Sequence, residues 1–367
     1  MKPILLLGEF LHRADALTGQ GFTGPPGVEL IKLLSEAGVL SLTSADKSSL
    51  SRYYNSGDTL AIAQLWSAHP EFARAQVFHL HTPTNKLEHF CGPKSTALPG
   101  YPKLGTAGWV RAEFGPQLDR LGDDILALDP NLIICLGNAA MWALSGRTGV
   151  SKLRGTTFLS TQTVADYKCL IANHPASINN QWELRPVTIL DLAKATRENL
   201  SPELLRPECT IWIEPTLDDI ETFYHDHIIG CEILSTDIET SGTRITCIGF
   251  APRHDLAIVI PFDDDRKPDR NYWATQEDER HAWDIIRRIL ADRTVPKVFQ
   301  NGLYDIAFLL RAYGIPTYSA AEDTMLLHHA LSPESLKGLA FLGSVYTDHG
   351  PWKSERKGTS TTIKKDA

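Results

Sequence analysis

The sequence predicts an α/β protein built as two domains in series, and three observations carry that expectation. Short apolar runs such as residues 4–7 and 132–136 alternate with segments of helical period, glycine turns follow the runs, and a polar, proline-marked join falls near residue 200. At 367 residues the chain exceeds what one ordinary core fills and suits two. The expected boundaries are 1–200 and 208–350, with a polar tail over 351–367.

Composition narrows the class. A formal net charge of −8 argues against wholesale coating of nucleic acid but leaves room for local basic patches. The six cysteines are scattered, with no CxxC pair, disulfide ladder or zinc spacing, which fits a reducing cytoplasm. Residues 4–7 read as a buried strand rather than a signal peptide, and no run reaches membrane-spanning length, so no membrane partner is expected.

Taken in order, the first strand (residues 4–7) breaks at Gly8-Glu9 and enters a polar glycine-rich loop, residues 18–27, before a helix carrying Val28, Leu30, Ile31, Leu33 and Leu34. Strand, glycine loop and helix place a ligand site at the strand's carboxyl end, yet the glycines form neither a GxGxxG nor a Walker loop. Residues 75–80 read as a strand leading to Asn85, residues 132–136 as a parallel-type strand turning through Gly137 into a helix, and residues 168–172 as a last strand ending at His174. The result is a three-layer α/β/α sandwich around a parallel sheet.

Gly8-Glu9 with Gly21-Phe22-Thr23-Gly24, residues 132–137, Lys152-Leu153-Arg154-Gly155 and His174-Pro175-Ala176-Ser177, in this order, resemble the uracil-DNA glycosylase superfamily. The closest pattern is its iron-sulphur branch. The resemblance implies that Glu9 lies beside the attacking water and Phe22 stacks on a flipped base. Asn85 matches the family's asparagine near the uracil, and His174 donates to the oxygen that gains charge as the glycosidic bond breaks. Arg154 reads as a phosphate ligand or as a backbone hydrogen-bond donor. The chain departs from the pattern in three places: the cluster cysteines are missing, so no iron-sulphur cluster is expected; Phe10-Leu11-His12 replaces alanine-proline-glycine; and Gln76 aligns with an asparagine.

Beyond the join, residues 210–213 form a short strand and a helix begins near Thr216. The apolar run that follows stops at Asp237 and Glu239, spaced i, i+2, which on a strand point to one face with Ile238 turned inward. Paired acids at a strand end suit a hard cation, Mg2+ or Mn2+, of the kind that clamps the oxygens of a phosphodiester. Residues 244–250 and 256–261 read as further strands, making an antiparallel edge that begins with the acid-bearing strand. A helix over 277–290 leads to residues 297–299 and then to Asn301 and Asp305, which share a face if Asn301 begins the next helix. Asp323 reads as a helix N-cap.

This half resembles the 3′–5′ exonuclease domain of polymerase I-type (family A) enzymes, with a ribonuclease H-like mixed sheet. Asp237 and Glu239 match the first exonuclease motif, and Asn301 with Asp305 the second, so the resemblance implies metal ligation by Asp237, Glu239 and Asp305 and substrate contact by Asn301. The third motif, Tyr-x-x-x-Asp, is not found: Tyr346-Thr347-Asp348 has the wrong spacing. Two readings follow. One is a metal-dependent exonuclease joined to a glycosylase-like domain, acting on single-stranded DNA or a primer-template end, as the front of a phage-type polymerase in an infected bacterial cytoplasm, with a polymerase domain following in a longer chain. The other is a non-catalytic module that senses uracil or grips template.

Overall fold

The computed structural model describes residues 2–82, 86–206 and 208–347. Contacts divide the chain into two compact units, Met1–Arg206 with Gly343–Ala367 and Pro207–Leu342.

In the first unit the strands are β1 (Ile4–Leu11), β2 (Phe72–His81), the two-residue β3 (Cys91–Gly92) and β4 (Trp109–Val110), β5 (Leu132–Leu136), β6 (Thr157–Leu159) and β7 (Lys168–Ala172). The main sheet runs β2-β1-β5-β7-β6; its first four strands are parallel and β6 closes one edge antiparallel, while β3 and β4 pair separately. Alternation along the strands builds both cores. Leu5, Leu7, Ile133, Cys135, Cys169 and Ile171 face one side; Ile4, Leu6, Leu132, Ile134, Leu136 and Leu170 face the other. Helices α1 (Pro25–Glu36), α2 (Ser44–Ser56) and α3 (Thr59–Ser67) cover the second face, α4 (Gly115–Leu128), α5 (Asn138–Ser145) and α6 (Val150–Leu153) the first, and α7 (Pro175–Asn180), α8 (Arg185–Ala193) and α9 (Ala195–Glu198) return to the second. The expected α/β/α sandwich is therefore present.

The second unit follows with β8 (Thr210–Trp212), α10 (Leu217–Phe223), β9 (Leu234–Ser241), β10 (Arg244–Arg253), β11 (Leu256–Pro261), α11 (Gln276–Ala291), β12 (Lys297–Phe299), α12 (Leu303–Tyr313), β13 (Ala320–Asp323) and α13 (Thr324–Leu331), and it includes the start of α14 (Leu339–Tyr346), whose residues from Gly343 on count with the first unit. Its mixed sheet has the order β13-β12-β9-β10-β11-β8. Strands β9, β10 and β11 are antiparallel as expected, but β9 is not an edge: β12 pairs with it in parallel, Lys297 opposite Leu234. Thr275 caps α11, whose Ala282, Ile285, Ile286, Ile289 and Leu290 form one buried stripe. Each large side chain buried there contributes about 1.5–3 kcal/mol.

All six cysteines are free thiols. Among the described residues no helix is long and apolar enough to cross a membrane.

Candidate functional site: a glycosylase-type cavity and an acidic strand end

In the first unit, the carboxyl ends of β1, β5 and β7 open on a cavity of about 650 Å³ whose wall includes Glu9, His12, Asn138 and His174. Glu9 stands near the end of β1, and its Oε1 accepts from the Ala139 amide at 3.0 Å, at the first turn of α5. This closeness depends on Gly137, which takes φ +97° and whose Cβ, were there one, would lie 2.6 Å from Glu9 Oε1. Burial pushes the Glu9 carboxyl up to about 7, against the hydrogen bonds from the Ala139 and Asn138 backbone that favour its charge. His174 is the N-cap of α7, its Nδ1 accepting from the Ala176 amide at 3.1 Å. That bond places the imidazole proton on Nε2. Burial pulls His174 down to about 4; Asp15 favours its charged form and His12 opposes it. At neutral pH the cavity thus holds a neutral imidazole donor and an acid poised between its two states.

Asp15, 3% exposed, organises the loop that closes this end of the unit. It accepts from the His12, Thr23 and Gly24 amides at 3.0, 2.9 and 2.8 Å. The sequence reading missed Asp15 and two wall residues, His12 and Asn138. Asn138 directly follows Gly137, the glycine between β5 and α5, and that position was the available signal.

Two residues expected to touch substrate are placed otherwise. Phe22 is 2% exposed and belongs to the core: its ring packs 6.0 Å from that of His174, and its carbonyl accepts from Trp66 Nε1. Its backbone is left-handed, φ +61°, which turns the ring inward against Gly8. The ring thus backs His174 from within the core. Arg154, 5% exposed, is held in a two-pronged bond by Asp191 at 2.6 and 2.7 Å, so its guanidinium has a structural partner. Asn85 lies outside the described residues.

In the second unit, Leu234, Thr236 and Ile238 of β9 are buried and alternate with Ser235 and Asp237, so Asp237 and the half-buried Glu239 share the outward face. Asp305, in the first turn of α12, is 5% exposed and accepts from the Ile238 amide at 3.1 Å, tying helix to strand. Burial is the largest cause pushing Asp305 up to about 6; Asp237 and Asp323 add like-charge repulsion. Asp323 caps α13, accepting from the Met325 and Leu326 amides, and also takes the amides of Asn301 and Gly302 at 3.1 and 2.8 Å. Those last two bonds hold Asn301 in a left-handed turn, φ +61°, before the helix, so it does not share a helical face with Asp305. The turn needs Gly302, where a Cβ would meet that of Phe299 at 2.4 Å. Among the described residues no three His, Cys, Asp or Glu side chains lie close enough to hold a metal ion.

Known families match both parts of the chain, to different extents. The uracil DNA glycosylase superfamily matches residues 2–195, just over half the chain. The chain belongs to that superfamily. Residues 224–359 match a 3′-5′ exonuclease family. No curated protein matches. Solved structures similar to the chain include Brucella melitensis NrnC with bound Mg2+, 20% identical over 37% of this chain and 59% of that one, TM-score 0.25. The EXD2 exonuclease domain soaked in Mg and GMP is 14% identical over 41% of this chain and 76% of that one, TM-score 0.26. Trypanosoma brucei RNase D is 14% identical over 33% and 40%, TM-score 0.27. The chain thus spans 59% of the length of NrnC and 40% of RNase D, and likenesses this distant carry no functional weight. The glycosylase-superfamily match is thus followed along the chain by a match to a 3′-5′ exonuclease model.

Proposed function

We propose that this is a DNA-processing hydrolase in which the glycosylase unit excises uracil and the exonuclease unit shortens strands from the 3′ end. The observation that carries the first part is the pairing of Glu9 and His174 on one cavity, with their affinities for protons displaced in opposite senses. A base enters such a cavity only after flipping from its strand. As the bond from base to sugar lengthens, electrons pass to the base, and the His174 Nε2–H donates to the oxygen where that charge gathers. Glu9, ionised, orients water toward the sugar carbon and takes its proton.

In the exonuclease unit the donor chemistry of Asp237, Glu239 and Asp305 fits Mg2+ or Mn2+, with the repulsion on Asp305 relieved by a cation. When bound, the ion would supply Lewis-acid stabilisation to the phosphodiester. Asp305 also fixes the Ile238 amide and with it the acid-bearing end of β9. A proofreading role at the front of a phage-type DNA polymerase, with a polymerase domain as the continuing partner and a host cytoplasm as the setting, agrees with the order of the two units.

A second reading is favoured by one observation: no three potential ligands converge among the described residues. On it the exonuclease unit binds DNA without cutting. Incubating the protein with labelled uracil-containing and plain single strands, with and without Mg2+, separates the two. Abasic product supports excision, a ladder of shortened strands supports the nuclease, and binding with neither product sinks the enzymatic reading.

A further inference from the structure

The cavity holds a second imidazole that the excision chemistry above leaves unused. His12 lies in the loop after β1 and lines the same wall as His174. The two rings are arranged alike: His12 Nδ1 accepts from the Ala14 amide at 3.2 Å, as His174 Nδ1 accepts from Ala176 at 3.1 Å. A ring nitrogen that accepts an amide carries no proton, so both rings bear theirs on Nε2. Among the described residues neither Nε2 has a hydrogen-bond partner. The rings are near enough for charge on His12 to disfavour charge on His174. Asp15 fixes the His12 backbone, accepting from its amide at 3.0 Å, so the ring is held from both its main chain and its Nδ1. Two pre-oriented N–H groups facing one space with a carboxylate match a ligand with more than one carbonyl oxygen and a ring N–H, which is the edge chemistry of uracil.

We infer that His12 is a second donor to the base, its Nε2–H contacting a carbonyl oxygen of the bound pyrimidine while His174 serves another. The inference rests on the excision reading for its ligand. It also accounts for an imidazole standing where the family pattern has glycine.

The test uses the full chain and free uracil as probe, followed by nitrogen resonances of the histidine rings. On adding uracil, the Nε2 signals of both His12 and His174 should move. His12→Asn keeps a short acceptor for the Ala14 amide but removes the distal donor, and should weaken uracil binding about tenfold, the loss of one hydrogen bond to a group bearing partial charge. His12→Gln, which returns an N–H to the distal position, should recover part of that loss. A His12 signal that stays put, an Asn variant that binds uracil like the unaltered protein, or an unaltered protein that binds no uracil would each overturn the inference. Uracil-containing strands left intact by a protein that binds uracil through His12 would instead overturn excision alone.

Discussion

Glu9 and Asp305 are both acids held by burial above their ordinary range, and the consequences differ because their neighbours differ. Glu9 reaches about 7 and faces a cavity, so if it takes the proton from water, uracil release rises with pH through about 7. His174, near 4, is neutral throughout that range and adds no opposing limb. Glu9→Gln should cut the rate about 10²–10⁴-fold and flatten the profile, and a rise that persists in the variant would assign the limb to another group. Asp305 is placed against other carboxylates. Its folded value near 6 lies above the ordinary 3.8, so folding holds its proton, and the stability it contributes at low pH is lost as pH rises through about 6. Asp305→Asn keeps an acceptor for the Ile238 amide and should stabilise the unit by roughly 1–3 kcal/mol at pH 8, the gain vanishing near pH 4, as read by denaturant unfolding. The same variant should shorten no strands. The places of Glu9 near a strand end, of His174 before a helix and of Asp237 and Glu239 on one strand face were legible because local pattern sets them. Those of Phe22 and Arg154 were not, since the Trp66 indole and the Asp191 carboxylate that claim them lie far along the chain.

Elements were legible where pattern is local and obscure where pairing is distant. The apolar runs of β1, β5 and β7 and the helix over 277–290 are written in the sequence, and each forms as expected. The central position of β9 is not, because its parallel partner β12 arrives some sixty residues later and the pairing leaves no local mark. His69 shows how such distant elements are pinned. Its ring nitrogens meet Asp46 at 3.1 Å and Glu71 at 2.8 Å, joining the capping box that starts α2 to the approach of β2. Burial opposes charge on His69, but the bonds to Glu71 and Asp46 outweigh it and raise the imidazole above its usual 6.5. The resulting stability is therefore full below 6.5 and lost as pH climbs through the raised value. His69→Ala should cost roughly 1–3 kcal/mol at pH 6 and less at pH 9, measured by denaturant titration at both; an equal cost at both would show that packing alone matters.

At the scale of the whole molecule, each unit has its own core among the described residues: the two faces of the first sheet share theirs with α1 to α9, and the second sheet shares its own with α10, α11 and α12. The candidate residues fall in different units, Glu9 and His174 in the first and Asp237, Glu239 and Asp305 in the second. Substitutions at sites that act independently are additive to within a few tenths of a kcal/mol. Asp237→Ala should therefore abolish Mg2+-dependent shortening and leave uracil release within about twofold, and Glu9→Gln should do the reverse. The doubly substituted protein should show both losses and no more. On a strand with one internal uracil, coupling would appear as a dependence of each product's rate on the other site: if Asp237→Ala slowed uracil release tenfold, the two units would have to be read as one enzyme acting on a strand they share.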